Sequence, residues 1–483
     1  MLALTLALAL SVAGPSDFDA IVERLMKAHD VPGVGLALVK DGKPLLAKGY
    51  GVADAATGER VTEKTVFSLG SVSKSFAAVT AMKLVEEKRL SLDTSVASVL
   101  EGFRLSDGEA TRALTLRHAL SHTSGLPRLP EWILPTRADI VKRLSTVPLD
   151  AAPGAAWRYC NQNFILAGHV VERVAGKPWE EVLAASVLDP LGMTSSYAAN
   201  ALARGDGGVA RPHVLDVRRG QRTIAFESHL EPWGPSGNVR SSAADMARYL
   251  AFHAGGGPEI LSSGSLAEMH REQVSLEQSP AAADRFGPLP VKRRGYGLGF
   301  YTEEFRGVRL ASHEGTLDGF TASVTIAPEA GAGIAILTNA DHANLFVAAA
   351  RLALLEALLG MKPDGAGAAA EVHARAGFDP EAHRARLESV RRFVADPAAF
   401  AGLAGTYASV PPGGPTLVVA VEGGAVTLTV NREIVLDLVP FENDGFIVNS
   451  HPMIGRALRF VRGGEGQATI VADGRPIGVR TSR

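Results

Sequence analysis

Phe67-Ser68-Leu69-Gly70-Ser71-Val72-Ser73-Lys74-Ser75-Phe76-Ala77-Ala78-Val79-Thr80-Ala81-Met82-Lys83-Leu84 is the stretch on which the reading of this chain turns. Gly70 interrupts the preceding segment, and apolar Phe76, Val79, Met82 and Leu84 then recur at helix-like intervals. The stretch therefore opens a buried helix that ends near Glu87-Lys88-Arg89. On its first turn, residues three apart share a face, so the Ser71 hydroxyl and the Lys74 amine can meet. A serine hydroxyl is a weak nucleophile until a base takes its proton. Lysine can be that base when burial or nearby positive charge lowers its pKa. The helix start also leaves backbone N–H groups free to face an oxyanion. On their own, these four residues favour an ordinary amphipathic helix with a solvated lysine. What changes that reading lies further along the chain.

On the N-terminal side, Ser16 caps a helix with Phe18, Ile21, Val22, Leu25 and Met26 on one face. Extended runs Val34 to Val39 and Leu45 to Tyr50 surround Asp41-Gly42, a hairpin signature. On the C-terminal side, runs Thr321 to Pro328 and Gly333 to Thr338 surround Glu329-Ala330-Gly331, and an apolar helix follows over Leu345 to Leu359. This order predicts an α+β fold: one antiparallel sheet built from both chain ends, with a mostly helical lobe from the middle. Residues 203–241, up to Trp233-Gly234-Pro235-Ser236-Gly237, and 272–296 lack periodicity and read as loops over a site. Ser242-Ala243-Ala244-Asp245 starts a capped helix through Leu250. After Gly360 the composition shifts to Ala, Gly and charge, with one helix near Glu381 to Phe393. From Gly405-Thr406-Tyr407 onward, short strands (Thr416 to Val421, Ala425 to Val430, Ile434 to Val439, Gly445 to Asn449, Ala457 to Val461, Ala468 to Ala472 and Pro476 to Val479) alternate with turn residues, which predicts a small all-β sandwich or barrel.

The bulk numbers narrow the class of protein. With 483 residues, 46% hydrophobic and 21% charged, the chain has the composition of a soluble protein of two or three domains. A net charge of -2 without a basic block excludes nucleic acid and acidic membrane surfaces as expected partners. Cys160 is the sole cysteine, so neither an internal disulfide nor a thiolate metal cluster can form. Residues 2 to 13 form an apolar run too short to span a bilayer and suited to a secretory signal cut after Ala13. The expectation is an exported protein with no membrane span after cleavage, or a cytoplasmic one if the segment is not a signal.

Two further motifs carry chemistry. In Tyr159-Cys160-Asn161 the outer residues, two apart, would both face inward. The phenol offers a base or acid, and the amide could position Lys74 or a substrate carbonyl. The same alternation sends Cys160 into the core as a small hydrophobe. In His313-Glu314-Gly315-Thr316, the histidine could anchor a substrate. Gly315 would let substrate backbone approach, and the Thr316 N–H could serve as a second oxyanion donor. His118 and His122 sit four apart as a metal pair would. No Glu completes a metalloprotease pattern, so both read as core or turn residues. There is no Gly-x-Ser-x-Gly elbow and no Walker loop.

Ser-x-x-Lys, Tyr-x-Asn and His-x-Gly in this order resemble the serine β-lactamase and penicillin-binding protein superfamily. The chain looks most similar to the group of class C β-lactamases, D-alanyl-D-alanine carboxypeptidases and β-lactamase-like esterases. Leu114-Thr115-Leu116-Arg117-His118-Ala119-Leu120-Ser121-His122-Thr123-Ser124-Gly125-Leu126-Pro127, Tyr296-Gly297-Leu298-Gly299 and Gly315-Thr316-Leu317-Asp318-Gly319-Phe320 add to the resemblance. It implies a five-stranded antiparallel sheet flanked by helices, with a helical lobe and the site between them. It also implies Ser71 as nucleophile, Lys74 and Tyr159 as shared general base, and Asn161 orienting them. The Ser71 and Thr316 amides would form the oxyanion hole, and His313 would hold the third-motif position. No cofactor or metal is implied. Leu403-Ala404-Gly405-Thr406-Tyr407 resembles the start of lipocalin-like C-terminal domains. The expected organisation is a signal over 1–13, a hydrolase domain over 14–360, a linker with a helix over 361–400 and a lipocalin-like β domain over 401–483. That last domain could shape the cleft, hold protomers together or be a passive appendage.

The class C enzymes carry Lys-Thr-Gly at the third motif, where this chain has His313 and Glu314. Near pH 7 a histidine is at best partly charged, and Glu314 would repel an anion. The expected substrates are therefore small molecules or peptides presenting a neutral ester or a D-amino-acid-type amide. Hydrolysis of β-lactams or of D-Ala-D-Ala peptides is the alternative within enzymes. A penicillin-binding sensor that acylates without turnover is the alternative outside them.

Overall fold

A computed structural model describes the chain except for residues 1–13, 199–207, 226–230, 258, 278–289, 364, 395–399, 401, 413, 432–433, 443, 450–456, 464–466, 473–474 and 483. The signal-like run 2–13 thus lies outside the described residues, as do parts of both irregular segments.

The first helix, α1 (Pro15–His29), begins two residues earlier than a Ser16 cap would have it. Gly14 is the N-cap residue, with its N–H on the Asp17 carboxylate at 2.8 Å. Proline suits the first helical position because that N–H has no helical partner anyway. Phe18, Val22 and Leu25 form the buried stripe, and Asp30 in the left-handed region ends the helix. Strands β1 (Gly33–Lys40) and β2 (Lys43–Asp54) form the expected hairpin. Asp41 and Gly42 both take positive φ, 50° and 69°, as a type I′ turn requires.

The sheet that grows on this hairpin has nine antiparallel strands. Its remaining members are β3 (Glu59–Arg60), β4 (Val274–Ser275), β5 (Lys292–Tyr296), β6 (Tyr301–Phe305), β7 (Val308–Leu317), β8 (Phe320–Ala327) and β9 (Ala332–Thr338), in spatial order β3-β2-β1-β9-β8-β7-β6-β5-β4. Strands β2, β1, β9, β8 and β7, each of seven or more residues, form the expected five-stranded centre, with short strands extending both edges. Strand β1 is buried almost throughout because both faces are covered. Leu36, Leu38, Ile334 and Ile336 face α1 and the C-terminal helix of this domain, Asn344–Leu358. Ala37, Val39, Ala335 and Leu337 face the opposite layer, which includes helix Ala243–His253 and the helical lobe. Truncating one of these fully buried aliphatics, Ile336→Ala for example, would cost about 2–5 kcal/mol.

The lobe is centred on α2 (Ser73–Glu86), a helix buried nearly all round, and α3 (Asn161–Ala175) packs beside it. Helices α4 (Ala243–His253) and α5 (Asn344–Leu358) cover opposite faces of the sheet. Ser242 caps α4 through the Asp245 N–H at 3.3 Å, as its sequence predicts. Beyond Gly360 there are two helices rather than one, Ala368–Ala376 and Pro380–Arg392. The tail is a closed barrel of eight strands from Gly405–Ser409 to Arg475–Ser482, with alternate residues such as Val419, Leu428, Leu436 and Phe460 filling its interior. The barrel docks through Val439, Phe441 and Ile447 onto Leu387 and Val390 of the second helix and onto Leu215 and Val217, in and just after strand His213–Asp216. No helix among the described residues is long and apolar enough to cross a membrane.

Candidate active site

The 3-10 turn Gly70–Val72 leads into α2 and carries Ser71. Two interlocking contacts hold this turn against β7. Gly70 has φ +52°, and a Cβ there would stand 2.7 Å from the Thr316 nitrogen. A Cβ on Gly315 would stand 1.9 Å from the Leu69 carbonyl oxygen and 2.8 Å from the Ser71 nitrogen. Real Cβ atoms do not approach so closely, so glycine at both positions is what lets the Ser71 and Thr316 amides lie in one patch. Ser73 pins the turn from the other side, donating to Gly70 O at 2.7 Å and accepting from the Val239 N–H at 2.9 Å.

Three of the residues singled out by sequence converge on one atom. The Lys74 Nζ lies 2.9 Å from Ser71 Oγ, and the Tyr159 hydroxyl lies 2.7 Å from it. Lys74 is wholly buried, and burial lowers its pKa from 10.5 to about 7. Around it stand the rings of Tyr159 and Phe164, 4.9 and 5.8 Å from Nζ to centroid. Its second partner is not Asn161 but the Ser236 carbonyl, at 2.7 Å. That carbonyl is presented by the short helix Gly234–Gly237, so part of the segment read as a loop contributes directly to the site. Pro235 reaches α3 there because residue 168 is glycine. Trp233 is buried in the core.

Asn161 begins α3, and its Oδ1 is buried without a hydrogen-bond partner among the described residues. Such a group is an acceptor waiting for a donor. Cys160 points into the core, its Sγ donating to Gln162 Oε1 at 3.3 Å, and burial pushes its thiol up to about 11.

At the third motif the structure corrects two expectations. His313 is buried, with Nδ1 2.6 Å from the Glu314 carbonyl and Nε2 3.1 Å from the Tyr296 hydroxyl. A carbonyl only accepts, so Nδ1 carries the proton and Nε2 accepts from the phenol. Burial first, and the Lys74 charge second, bring the pKa of His313 down to about 3, so the ring is neutral near pH 7 rather than partly charged. Glu314 does not face the same side. Strand alternation turns it to the opposite face, where it pairs with Arg351 of α5 at 2.9 Å and Arg293 of β5 at 3.2 Å. Both arginines also bind Glu303, which accepts from Ser312 Oγ at 2.7 Å. Repulsion of an anionic substrate by Glu314 is therefore removed at its source. Thr316 sits at the turn contact with its Oγ1 3.3 Å from Asn344 Oδ1.

The sequence reading did not single out Ser236 or Tyr296 as site residues. Tyr296 lies in the quoted Tyr-Gly-Leu-Gly motif, so a signal existed. A main-chain carbonyl such as that of Ser236 leaves none. His118 caps its own helix through the Thr115 N–H at 3.3 Å. Among the described residues no group of three His, Cys, Asp or Glu could hold a metal ion. Chemically, an alcohol between a neutralisable amine and a phenol, beside two backbone amides, can be deprotonated as it attacks a carbonyl.

Comparison with known proteins bears on the family of the chain and on its fold. The family model described as Beta-lactamase matches residues 18–359. Penicillin-binding protein 4 of Amycolatopsis lactamdurans is 32% identical over 357 residues, covering 71% of this chain and 89% of that protein. Unguisins hydrolase ungD of Aspergillus violaceofuscus is 27% identical over 355 residues, covering 68% of this chain and 62% of that protein. Among solved structures, an octameric penicillin-binding protein homologue from Pyrococcus abyssi has a TM-score of 0.59 at 24% identity, covering 96% of this chain and 99% of that one. EstCE1, described as a hydrolase with promiscuous acyltransferase activity, has a TM-score of 0.59 at 21% identity, covering 71% of this chain and 98% of that one. At these identities the two structures speak to fold, the first across almost the whole chain.

Proposed function

Because this chain belongs to the beta-lactamase family, a family of serine hydrolases, we propose that it hydrolyses a carboxylic ester or a D-amino-acid-type amide through an acyl-enzyme on Ser71. The observation that supports this most is the pair of hydrogen-bond distances, 2.9 and 2.7 Å, from Ser71 Oγ to the Lys74 amine and the Tyr159 hydroxyl.

In the first step Oγ bonds to the substrate carbonyl carbon as its proton passes to the Lys74–Tyr159 pair. The carbonyl oxygen takes up the negative charge beside the Ser71 and Thr316 amides. As the tetrahedral centre collapses, the bond to the leaving alcohol or amine breaks, and the pair returns the proton to it. Water then attacks the acyl-enzyme, giving its proton to the same pair. The carbon–Oγ bond breaks, the acid departs and Ser71 regains its hydrogen. The Ser236 carbonyl holds the Lys74 amine throughout, and the unpartnered Asn161 Oδ1 accepts an N–H from an amide-bearing substrate.

Preference for neutral groups follows from His313. A ring that is uncharged near pH 7, with one nitrogen on the Glu314 carbonyl and the other on the Tyr296 hydroxyl, has no ion pair to offer a carboxylate. The resemblance to penicillin-binding protein 4 favours a second reading, β-lactam or D-Ala-D-Ala recognition, with or without turnover. Export and assembly of copies through the barrel remain part of the proposal.

The deciding experiment is a panel of p-nitrophenyl esters, a chromogenic cephalosporin and D-alanyl peptides, each run against wild type and Ser71→Ala. Intact-mass measurement accompanies each run. Ester turnover lost in Ser71→Ala, with a transient acyl adduct in wild type, supports the reading. A kcat/KM for the cephalosporin far above that for the esters overturns the substrate class. A lasting β-lactam adduct without ester turnover supports the sensor. Undiminished hydrolysis by Ser71→Ala ends the serine mechanism.

A further inference from the structure

His122 lies in none of the three motifs assigned to the chemistry, yet it is built into the site in an unusual way. Six non-glycine residues among those described have positive φ, and His122, at 57°, is the one that is buried. A left-handed backbone is disfavoured for a residue with a Cβ and persists where the surroundings impose it. Here that conformation lets one residue grip the chain beside Tyr159 twice. The His122 carbonyl accepts the Arg158 N–H at 2.8 Å, and its Nδ1 accepts the Cys160 N–H at 3.2 Å. The Asn163 amide lies 3.4 Å from the same nitrogen. The imidazole also packs on the Tyr159 ring, centroids 4.4 Å apart and tilted by 38°.

Resting on the reading of Tyr159 as a proton carrier, we infer that His122 is a positioning residue that clamps the amides on both sides of Tyr159 and so fixes its hydroxyl on Ser71. The clamp requires an unprotonated Nδ1, since a protonated nitrogen cannot accept the Cys160 N–H. Burial, with Lys74 second, holds the ring's pKa well below the usual histidine value. In the neutral ring the proton is then on Nε2, which is buried without a hydrogen-bond partner among the described residues, and the imidazole as a whole packs among the rings of Trp157, Tyr159, Phe164 and Tyr296. No hydrogen bond joins the imidazole to Ser71, so its influence runs through Tyr159.

Two substitutions separate clamp from scaffold. His122→Asn suits a left-handed backbone and keeps an acceptor near the Nδ1 position. His122→Gly suits the backbone and keeps the carbonyl that accepts the Arg158 N–H, but has no side-chain acceptor for the Cys160 N–H. With the best ester of the panel, His122→Asn is expected to keep kcat within about threefold, while His122→Gly loses roughly 10- to 100-fold in kcat with KM changed less than about threefold. Wild-type kcat in His122→Gly, or equal losses in both variants, overturns the inference. If His122→Gly does not fold, imidazole 15N shifts of the wild-type chain decide, assigned by the signals missing in His122→Asn: a bare Nδ1 supports the clamp and a protonated one refutes it. Ser71→Ala run in parallel keeps the two ideas apart. Turnover surviving there removes the serine mechanism itself, whereas a dead Ser71→Ala beside a fully active His122→Gly removes the clamp alone.

Discussion

Replacing Lys74 with methionine should make the protein more stable while stopping its chemistry, and the gain should depend on pH in a defined direction. The buried amine has its pKa lowered from 10.5 to about 7. Each pH unit of that gap corresponds to about 1.4 kcal/mol. At pH 6 folded and unfolded chains both hold the proton, so keeping the charge buried costs on the order of 5 kcal/mol. Between pH 7 and 10.5 the unfolded chain retains a proton that the folded chain has released, so wild-type stability rises with pH across that window. By pH 9 the penalty has fallen to about 2 kcal/mol. Methionine escapes the penalty but strands the Ser236 carbonyl, a loss of about 1–3 kcal/mol. The variant should therefore lead wild type by about 2–4 kcal/mol at pH 6 and by little or nothing at pH 9. Urea unfolding of both chains at the two pH values, followed by tryptophan fluorescence, measures the difference, and titrations shared by the two chains cancel. Ester turnover should fall by roughly 10²- to 10⁴-fold. A stability difference identical at pH 6 and pH 9 would refute the reasoning, because it would mean that the amine titrates like a lysine in water.

Other consequences are open to the same kinds of measurement. Gly315→Ala drives a Cβ into the Leu69 carbonyl and the Ser71 amide, so β7 must retreat. Hydrolysis should drop about 100-fold, with about 1–3 kcal/mol lost in a thermal melt. Burial works against the charge of Glu303, but Arg351 and Arg293 outweigh it and hold its pKa at about 2. That carboxylate stabilises the fold fully above its ordinary pKa, and the contribution is lost as pH falls through about 2. Arg351→Met should accordingly cost about 3–5 kcal/mol and move acid unfolding to higher pH, read by circular dichroism. With His313 titrating at about 3, KM for an anionic ester should show no histidine inflection between pH 5 and 8, and a step near 6.5 would contradict the neutral ring.

The parts of this protein legible in the sequence are those written in local spacing. Asp41-Gly42 announces a turn because few residue pairs tolerate two positive φ angles in succession. Ser71 and Lys74 meet because one helical turn brings residues three apart together, and Tyr159 joins them through a motif. Helix Ala368–Ala376 escaped notice because it is short and Val372 is the one large aliphatic side chain that marks its buried face. Strands β5 and β6 escaped because Lys292-Arg293-Arg294 and Glu303-Glu304 read as surface until Arg351, far along the chain, supplies their partner. Glu314 misled for the same reason, since its two arginines lie 21 and 37 positions away. Ser236 contributes a main-chain oxygen, which any residue type would offer.

The assembly around Ser71 also bears on how the protein is made. Segments near positions 71, 159, 236 and 315 must all be in place before the alcohol has its neighbours. A chain leaving the ribosome exposes residue 71 long before residue 315, and until the later segments close over it the Lys74 amine stays in water, protonated and unable to accept. On the proposed mechanism, the nascent polypeptide would be inert toward acyl donors in its surroundings, and reactivity would come only with the last strands of the sheet.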